Sequence, residues 1–369
     1  MRLLILSNNA EGLYLFRKEL IQSFLEDGHE VIIAIPKDKK EKELYQLGCK
    51  IYHVDLERRG KNPIHDLKLF LEYIRLIQYL NPDLILTYTI KPNLYGGIVS
   101  RILRKRYCTN ITGLGTEIER EGMLSKVLLK FYHIALQNSE CIFYQNCSNQ
   151  KFFNRKGIKG KRQCLLPGSG VNLREYSYSP LKEEEQVNLL FVGRIMKEKG
   201  IEELLKVIPD LKKKYKNVNF HFIGDYEKDG EEKYRQWVEE LQEKNMLIYH
   251  GYSNEVWEHM EKATAIVHPS WHEGMSNVLL QAASVGRPIL ASNIPGCKET
   301  FEEGKSGFGF EIKNIQSLQE AIIKFMELTW EERKQMGDYG RRKIEREFSR
   351  DIIIHRYQQL INKIGEEKK

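Results

Sequence analysis

Two basic side chains follow an apolar run in the second half of this 369-residue sequence. The run ends at Gly193-Arg194, and Lys199 stands where the next helical pattern begins. The amino end of a helix has unsatisfied N–H groups and a partial positive charge, so two added cations make it attractive to phosphate. Both residues could also be ordinary solvated surface charges, which is the usual state of Lys and Arg.

A second polar segment, residues 269–278, also follows an apolar run and precedes a helical pattern. Gly274 allows the backbone to approach a ligand closely, and Ser276 or Asn277 can cap the helix. Free N–H groups there would suit an anion, whereas Glu273 is better suited to accept hydrogen bonds from neutral hydroxyl groups, such as those of a sugar. An ordinary capped helix with a solvated Glu is the open alternative.

Short apolar runs alternate with longer amphipathic stretches through most of the chain. They lie at residues 3–6, 31–35, 51–54, 84–86, 107–111, 141–144, 164–166, 189–192, 220–223, 247–249, 265–267 and 288–291. Such alternation predicts parallel sheets covered by helices on both faces, in which ligands bind beyond the carboxyl ends of the strands. Both polar segments fall at such ends.

The alternation restarts near residue 187, which predicts an α/β protein of two doubly wound, Rossmann-like domains. Gly, Pro and acidic residues interrupt the pattern between the two series. The predicted division is an N-terminal domain over 1–166, a linker over 167–186 and a C-terminal domain over 187–348. A final amphipathic helix over 349–366 is expected to pack back on the N-terminal domain.

Composition restricts the class of protein. Hydrophobic residues make up 41% and charged residues 30% of the chain, which is typical of a soluble globular protein and excludes a disordered one. No apolar run approaches the roughly 18 residues that a membrane span needs. The six Cys form no C-x-x-C pair, which argues against metal fingers and favours a reducing cytoplasm.

Taken together, the segments of the second half resemble the family-four retaining glycosyltransferases of GT-B fold. That family has Gly-Arg and Lys-Gly after the first strand of its C-terminal domain, and then two Glu residues separated by seven at a helix start. The matches cover most of residues 187–310 in the family's order and spacing, including 286–292, 295–299 and 304–307. The resemblance implies two Rossmann-like domains that face a central cleft.

The first half is similar to bacterial members of the family that build capsular, O-antigen and lipid-linked oligosaccharides. The segments that carry this similarity are 12–17, 91–96 and 112–116. Each is a turn after a predicted strand, where glycine permits close backbone approach, and each could equally be a structural turn.

The resemblance implies a role for each matching residue. Arg194 and Lys199 would hold the diphosphate of a nucleotide-sugar donor, and Glu273 would hydrogen-bond the donor sugar. The family's second Glu binds the ribose, but this chain has Gln281 there, whose amide is a weaker partner than a carboxylate. Further donor-side residues are Gly12, Gly193, Met275, Ser276, Asn277 and Val278. The acceptor-side candidates are Arg17, Lys91, Thr112, Gly113 and Glu117.

No metal or other cofactor is expected, because the nucleotide-sugar is a substrate and GT-B enzymes of this type use cations of the protein. No convincing D-x-D motif occurs, and residues 225–227 are interpreted as a charged loop. The family's proposal for retention is front-face substitution, in which a phosphate oxygen of the leaving group takes the acceptor's proton. The His that many relatives carry after the fifth strand is missing, so its role is unfilled or passes to Thr112 or Glu117. His272 is interpreted as a packing or loop residue.

The positive charge of the chain is concentrated in its first half, the predicted acceptor-binding domain. Residues 1–166 carry 27 Lys and Arg against 17 Asp and Glu, whereas the remainder carries 31 against 34. Basic and aromatic residues mix in 151–162, and 123–136 is apolar over more than one helical face, which suits an anionic membrane surface. A core helix with solvated charges nearby is the alternative. No nucleic-acid module is recognised.

The resemblance implies a metal-independent hexosyl- or N-acetylhexosaminyltransferase, with a UDP-sugar as the expected donor. The expected acceptor is a saccharide or an undecaprenyl-diphosphate-linked saccharide, and the expected location is the inner face of the cytoplasmic membrane. Two alternatives stay open, a non-hydrolysing UDP-sugar epimerase and a non-catalytic subunit of a transferase pair. A dinucleotide-dependent dehydrogenase is disfavoured, because no G-x-G-x-x-G follows the first strand.

Overall fold

The computed structural model describes residues 1–57, 62–114, 118, 122–227 and 231–367. Its internal contacts divide the chain into two units. The first comprises Met1–Ser169 together with the C-terminal segment from Arg350, and the second comprises Gly170–Ser349. Each unit is built on one sheet whose strands all pair in parallel, and this confirms the predicted α/β class.

The first unit has a seven-stranded sheet in the order β3-β2-β1-β4-β5-β6-β7. Its strands are β1 (Arg2–Leu6), β2 (Glu30–Ile35), β3 (Lys50–His53), β4 (Leu84–Tyr88), β5 (Tyr107–Ile111), β6 (Cys141–Tyr144) and β7 (Gln163–Leu165). Its described helices are α1 (Ala10–Glu26), α2 (Glu41–Gln46), α3 (Pro63–Leu80), α4 (Gly97–Ile102), α5 (Met123–Leu136), α6 (Cys147–Arg155) and the C-terminal helix (Arg350–Glu366). A π-helical turn, Pro92–Gly96, leads into α4.

Apolar residues on both faces of β1 explain why this strand lies inside the sheet. Leu3 and Ile5 pack with α1 and the C-terminal helix, whereas Leu4 and Leu6 pack on the opposite face with α3. Successive side chains of a strand point to opposite faces, so a continuous apolar run is buried only where helices cover both.

The C-terminal helix packs against α1 within the first unit. Its Tyr357 is fully buried, stacks on Phe143 with ring centroids 4.3 Å apart, and donates a hydrogen bond to Asn110. At the start of the helix, Arg350 pairs with Glu19 of α1 at 2.5 Å. The aromatic contact and the ion pair together anchor the end of the described chain on the first unit.

The second unit has a six-stranded sheet in the order β10-β9-β8-β11-β12-β13. Its strands are β8 (Val187–Val192), β9 (Val218–Ile223), β10 (Ile248–Tyr249), β11 (Ala265–His268), β12 (Ile289–Ser292) and β13 (Gly307–Phe310). Its described helices are α7 (Ile201–Lys214), α8 (Glu231–Glu243), α9 (Val256–Lys262), α10 (Asn277–Val285), α11 (Ile315–Met326) and α12 (Trp330–Glu347), so the C-terminal helix is α13. The sequence pattern missed β13, because its two Gly residues dilute the apolar run.

The predicted linker over 167–186 is not a separate segment from residue 170 onward. Val171 is buried in the second unit's core and pairs with Ser349, and the Ser179 N–H donates to Val285 O at 3.1 Å. Arg287, which is almost fully buried, donates to the carbonyls of Ser179 and Met260 at 2.8 and 3.0 Å. A backbone bond to α10 and the side chain of Arg287, which links the segment to α9, fix these residues, and the sequence pattern reveals neither.

Three histidines of the second unit, His221, His250 and His259, lie in contact with one another beside β9 and β10. His221 Nδ1 lies 3.1 Å from His250 Nε2, and the rings of His250 and His259 have centroids 4.8 Å apart. Burial, reinforced by the neighbouring imidazoles and Lys212, lowers the pKa of His221 to about 4. Burial also lowers the pKa of His250, with His259 and Lys262 adding repulsion.

We therefore expect acid to destabilise the second unit. In the unfolded chain His221 takes up a proton near its ordinary pKa of about 6.5, while in the fold it does so only near 4. Between those values the unfolded state binds more protons, so stability is complete above about pH 6.5 and falls as the pH falls. Differential scanning calorimetry from pH 7.5 to 5 measures this decline. The decline should be shallower in His221→Gln, and an equally steep decline in that variant would contradict the assignment.

Candidate functional site

The second unit's polar segments lie at the carboxyl ends of β8 and β11, which are neighbours in the sheet. The strand order reverses direction between these two strands, and open α/β sheets bind ligands at such a switch point. Gly193 and Arg194 follow β8, and Lys199 ends a short 3-10 turn before α7. The two segments therefore lie at the carboxyl edge of the sheet, where the sequence pattern places them.

Gly200 permits the close packing of the two segments. Its φ is +68°, a left-handed conformation that favours glycine, and a Cβ atom there would lie 2.0 Å from Pro269 O. The backbone after Lys199 therefore lies directly against the segment that leads to Glu273. This contact explains why Lys199 and Glu273, which are 74 residues apart in the sequence, lie side by side.

Glu273 is the centre of a hydrogen-bonded cluster. Lys199 Nζ donates to Glu273 Oε1 at 2.5 Å, and His268 Nε2 lies 3.0 Å from the same oxygen. Ser276 Oγ is 3.1 Å from His268 Nε2. The Glu273 side chain is 14% exposed and that of Lys199 is 20% exposed, so the pair is mostly shielded but open to a ligand.

The surroundings of Glu273 keep its carboxyl group ionised. Burial by itself raises the pKa of Glu273, but the charge of Lys199 and the hydrogen bond from His268 outweigh burial and lower the pKa below its usual range. Burial lowers the pKa of His268, so its imidazole is neutral near pH 7. With a proton on Nε2 this imidazole donates to Glu273, and its Nδ1 is buried without a partner.

The start of α10 offers backbone donors beside this cluster. Ser276 caps the helix by accepting from Leu279 N at 3.4 Å, and Leu280 N–H donates to Ser276 O at 3.1 Å. The N–H groups of Asn277 and Val278 precede that first intrahelical bond, which is the position at which helices bind anions. Met275, just before the cap, is buried in the core.

Arg194 is paired with Glu227 in the described structure. The Arg194 side chain is 43% exposed, whereas that of Glu227 is only 16% exposed. Residues 225–227, interpreted from sequence as a charged loop, therefore supply the acid that holds this guanidinium. Gln281 lies on the same face of α10 as Asn277, one turn further along, and is partly exposed.

Contacts within the first unit give two of the candidate residues, Gly12 and Lys91, a structural role. Gly12 N–H donates to Asn9 Oδ1, the N-cap of α1, at 3.2 Å, and a Cβ atom on Gly12 would lie 2.7 Å from that oxygen. Lys91 Nζ donates to Asp66 Oδ1 at 2.6 Å. A structural reason therefore exists for both residues, and their predicted substrate contacts stay predictions.

The remaining acceptor-side candidates lie at the carboxyl end of the first sheet. Arg17 is 5% exposed, and Thr112 and Gly113 follow β5 in partly buried positions. Gln145, which follows β6, donates to Thr112 O at 3.2 Å and accepts from Arg17 Nη2 at 2.9 Å in its favoured amide orientation. Glu117 lies outside the described residues.

Sequence reasoning missed the histidine that contacts the cluster. His272, the histidine noted in the motif, is exposed, whereas His268 is buried and touches Glu273. The available signal was a polar residue ending the otherwise apolar run 265–268. In the part of the chain that the structure describes, no three His, Cys, Asp or Glu residues are arranged to hold a metal ion.

Two family models match the chain, Glycosyl transferase 4-like over residues 2–146 and Glycosyl transferases group 1 over residues 174–343. The N,N'-diacetylbacillosaminyl-diphospho-undecaprenol alpha-1,3-N-acetylgalactosaminyltransferase of Campylobacter jejuni subsp. jejuni serotype O:2 is 25% identical over an alignment of 344 residues, which covers 89% of this chain and 90% of that relative. The capsular polysaccharide biosynthesis glycosyltransferase CapM of Staphylococcus aureus is 26% identical over 87% of each chain. Among solved structures, Anabaena HepE in complex with UDP and glucose superposes with a TM-score of 0.82 at 16% identity, covering 98% of this chain and 99% of that one.

Proposed function

This chain belongs to the family-four glycosyltransferases of GT-B fold, and from that premise we propose the reaction that its site performs. The enzyme acts in the biosynthesis of a polysaccharide or a lipid-linked oligosaccharide. It transfers a hexose or N-acetylhexosamine from a UDP-sugar to a saccharide acceptor carried on a lipid diphosphate, and it retains the anomeric configuration.

The observation that carries this proposal is the ionised carboxylate of Glu273 between Lys199 and His268. A carboxylate with a lowered pKa is a poor proton donor but a good acceptor of hydrogen bonds. Glu273 therefore positions hydroxyl groups of the donor sugar. Lys199 lies beside it with three N–H donors, of which one is directed at Glu273 and the others can bind phosphate oxygens.

In this reaction the bond between the anomeric carbon and the β-phosphate oxygen breaks, and a bond from that carbon to an acceptor hydroxyl oxygen forms. The hydroxyl proton passes to a phosphate oxygen of the departing UDP, so no protein base is required. Lys199, Arg194 and the N–H groups at the start of α10 stabilise the charge that develops on the diphosphate. These groups would supply the stabilisation that a divalent metal supplies in other enzymes.

Two names among the similar proteins support the choice of substrates. The Campylobacter relative is named as an N-acetylgalactosaminyltransferase that acts on a diphospho-undecaprenol carrier, and the Anabaena structure contains UDP and glucose. We extend both to this chain, with an undecaprenyl-diphosphate-linked saccharide as the acceptor.

Nucleotide release tests the proposed reaction. UDP-, GDP- and ADP-sugars should be incubated with the full chain, with and without undecaprenyl-diphosphate-linked sugar, in the presence and absence of EDTA. We expect UDP release that depends on the acceptor and survives EDTA. Interconversion of UDP-sugars without acceptor would favour an epimerase, donor binding without turnover would favour a non-catalytic subunit, and loss of activity in EDTA would contradict a metal-free mechanism.

Gln281 provides a prediction about nucleotide affinity. A carboxylate accepts stronger hydrogen bonds from ribose hydroxyls than an amide does, by about 1 kcal/mol. Gln281→Glu should therefore keep turnover and lower the KM for the donor by about fivefold. Steady-state kinetics at saturating acceptor measures this change, with Gln242→Glu as a control elsewhere in the same unit. A large loss of kcat in Gln281→Glu would show that the amide itself is needed.

We also propose that the first unit docks on an anionic membrane surface. Five large apolar side chains of α5 are exposed, at positions 123, 124, 127, 131 and 134, with Met123 79% exposed. On α3, Ile64, Leu67 and Leu71 are exposed as well, and α3 and α5 both pack against the π-helical turn. Lys126 and Lys130 accompany the apolar face of α5. No helix in the described ranges is long and apolar enough to cross a bilayer.

Vesicle flotation tests this docking surface. We expect the protein to float with vesicles containing phosphatidylglycerol and to stay behind with pure phosphatidylcholine, since each cation near an anionic surface contributes about 1 kcal/mol. Replacing Val127 and Phe131 together by Asp should abolish flotation and lower the melting temperature only slightly, because both side chains are more than 40% exposed. Equal flotation of this variant and of the wild type would exclude α5 as the contact.

A further inference from the structure

Arg17 is a buried cation that lacks an acidic partner in the described structure. Its guanidinium donates to Phe16 O at 2.9 Å and to Gln145, while its Nε is buried without any partner. No carboxylate in the described ranges pairs with it. A buried charge of this kind is costly unless it is paired, so its presence calls for an anion from outside the chain.

Two other buried arginines of the described ranges show how this chain satisfies such groups when they are structural. Arg287 uses all three of its nitrogens on backbone carbonyls, including those of Met260, Ser179 and Glu261. Arg350 pairs with the carboxylate of Glu19. By comparison, Arg17 makes two bonds to neutral acceptors and leaves Nε unpaired.

Among the described residues, the groups around Arg17 supply no negative charge. Its guanidinium carbon lies 5.5 Å from the centre of the Tyr88 ring, and Tyr88 Oη is 3.4 Å from Tyr357 Oη. Burial raises the pKa of both tyrosines, so they are neutral at physiological pH. The amino end of α1 is not the anion site either, because Asn9 and Asp38 accept its N–H groups.

We propose that Arg17 is an anion-binding residue that holds a phosphate of the acceptor's lipid diphosphate at the carboxyl edge of the first sheet. The assignment rests on the proposed function, in which the reaction has two diphosphates. The donor's diphosphate is assigned to Arg194 and Lys199 of the second unit, which leaves the acceptor's for Arg17. A phosphate oxygen would replace the amide oxygen of Gln145, since a charge-assisted hydrogen bond is about twice as strong as a neutral one.

The test uses farnesyl diphosphate as a lipid-diphosphate probe, titrated calorimetrically into the full chain saturated with UDP. We expect Arg17→Met to weaken farnesyl diphosphate binding at least tenfold and to leave UDP binding unchanged. Gln145→Glu gives Arg17 a carboxylate from within the chain and should weaken farnesyl diphosphate binding to a similar extent. Arg155→Met removes an exposed cation of α6 in the same unit and should change neither affinity.

Thermal stability separates a binding role from a structural one. If Arg17 is kept for a ligand, its replacement by an apolar side chain of similar length leaves the melting temperature unchanged or higher, and Gln145→Glu raises it. A lower melting temperature of Arg17→Met with unchanged probe affinity would overturn the proposal. Weaker UDP binding by Arg17→Met with unchanged probe affinity would also overturn it, because Arg17 would then bind the donor. A wild-type protein that does not bind farnesyl diphosphate would overturn it as well. Failure of UDP to bind at all would contradict the proposed function. It would leave the assignment of Arg17 to be tested separately, by titrating farnesyl diphosphate without UDP.

Discussion

Replacing Lys199 by Met should lower the rate of sugar transfer by a factor of about 10²–10³, which is the usual loss when one donor to a developing negative charge is removed. Lys199 is the cation held directly against Glu273, at 2.5 Å, and the backbone that follows it lies against Pro269. No other Lys or Arg is bonded to Glu273 in the described structure. The rate of transfer at saturating donor and acceptor measures the loss.

The same substitution also has a structural effect that must be separated from the catalytic one. Without Lys199 the mostly buried carboxylate of Glu273 retains only the hydrogen bond from neutral His268, at a cost of about 1–3 kcal/mol in unfolding free energy. Adding Glu273→Gln to Lys199→Met removes that uncompensated charge. The double variant should regain stability in urea unfolding while its transfer rate stays low. A folded Lys199→Met enzyme with near-normal turnover would refute the assigned role.

Acid should affect Glu273 only at very low pH. Because its pKa is lowered in the fold, its stabilising interactions are complete above the unfolded value of about 4.5 and are lost as the pH falls through the folded value. Glu273 therefore stays ionised throughout the range in which enzymes of this kind are assayed. Any activity change between pH 5 and 8 must come from other groups.

Much of the fold was predictable because both sheets depend on continuous apolar runs. Runs such as 84–86 and 141–144 became interior strands, β4 and β6, whose residues are all buried. Strands with few apolar residues were harder to predict from the sequence. In β13, which contains Gly307 and Gly309, a Cβ atom on Gly307 would lie 2.0 Å from Ile289 O. Close approach between neighbouring strands needs glycine there, and glycine removes the hydrophobic signal that identifies a strand.

The residues of the candidate site that belong to short sequence segments after apolar runs were predictable. Arg194, Lys199 and Glu273 were selected because each follows an apolar run, and the structure brings Lys199 and Glu273 into contact. The partners that set their charge were not predictable. His268 is the last residue of a buried strand and Glu227 belongs to a polar loop, so neither position has a local pattern that identifies its partner.

Arg194→Ala should lower transfer by a factor of about 10²–10³ while leaving the fold intact, which distinguishes it from Lys199→Met. Arg194 is 43% exposed, so water screens its pair with Glu227, which contributes about 0–1 kcal/mol. Glu227 is only 16% exposed, but it has a further contact besides Arg194. Loss of the Arg194 side chain therefore costs little stability. The expected result is a melting temperature close to that of the wild type together with a large loss of kcat.

Glu227 makes this prediction more specific, because Arg194 must leave that carboxylate before it can hold a diphosphate. Glu227→Gln weakens the competing ion pair and should lower the KM for the donor, whereas Arg194→Ala should lower kcat. In the Arg194→Ala background, Glu227→Gln should have little further effect, because the competition it relieves no longer exists. Arg235→Ala, which removes an exposed arginine 4.7 Å from the ring of nearby Tyr226, is the matched control and should keep full activity. Independent, additive effects of the Arg194 and Glu227 substitutions would show that their pairing has no part in donor binding.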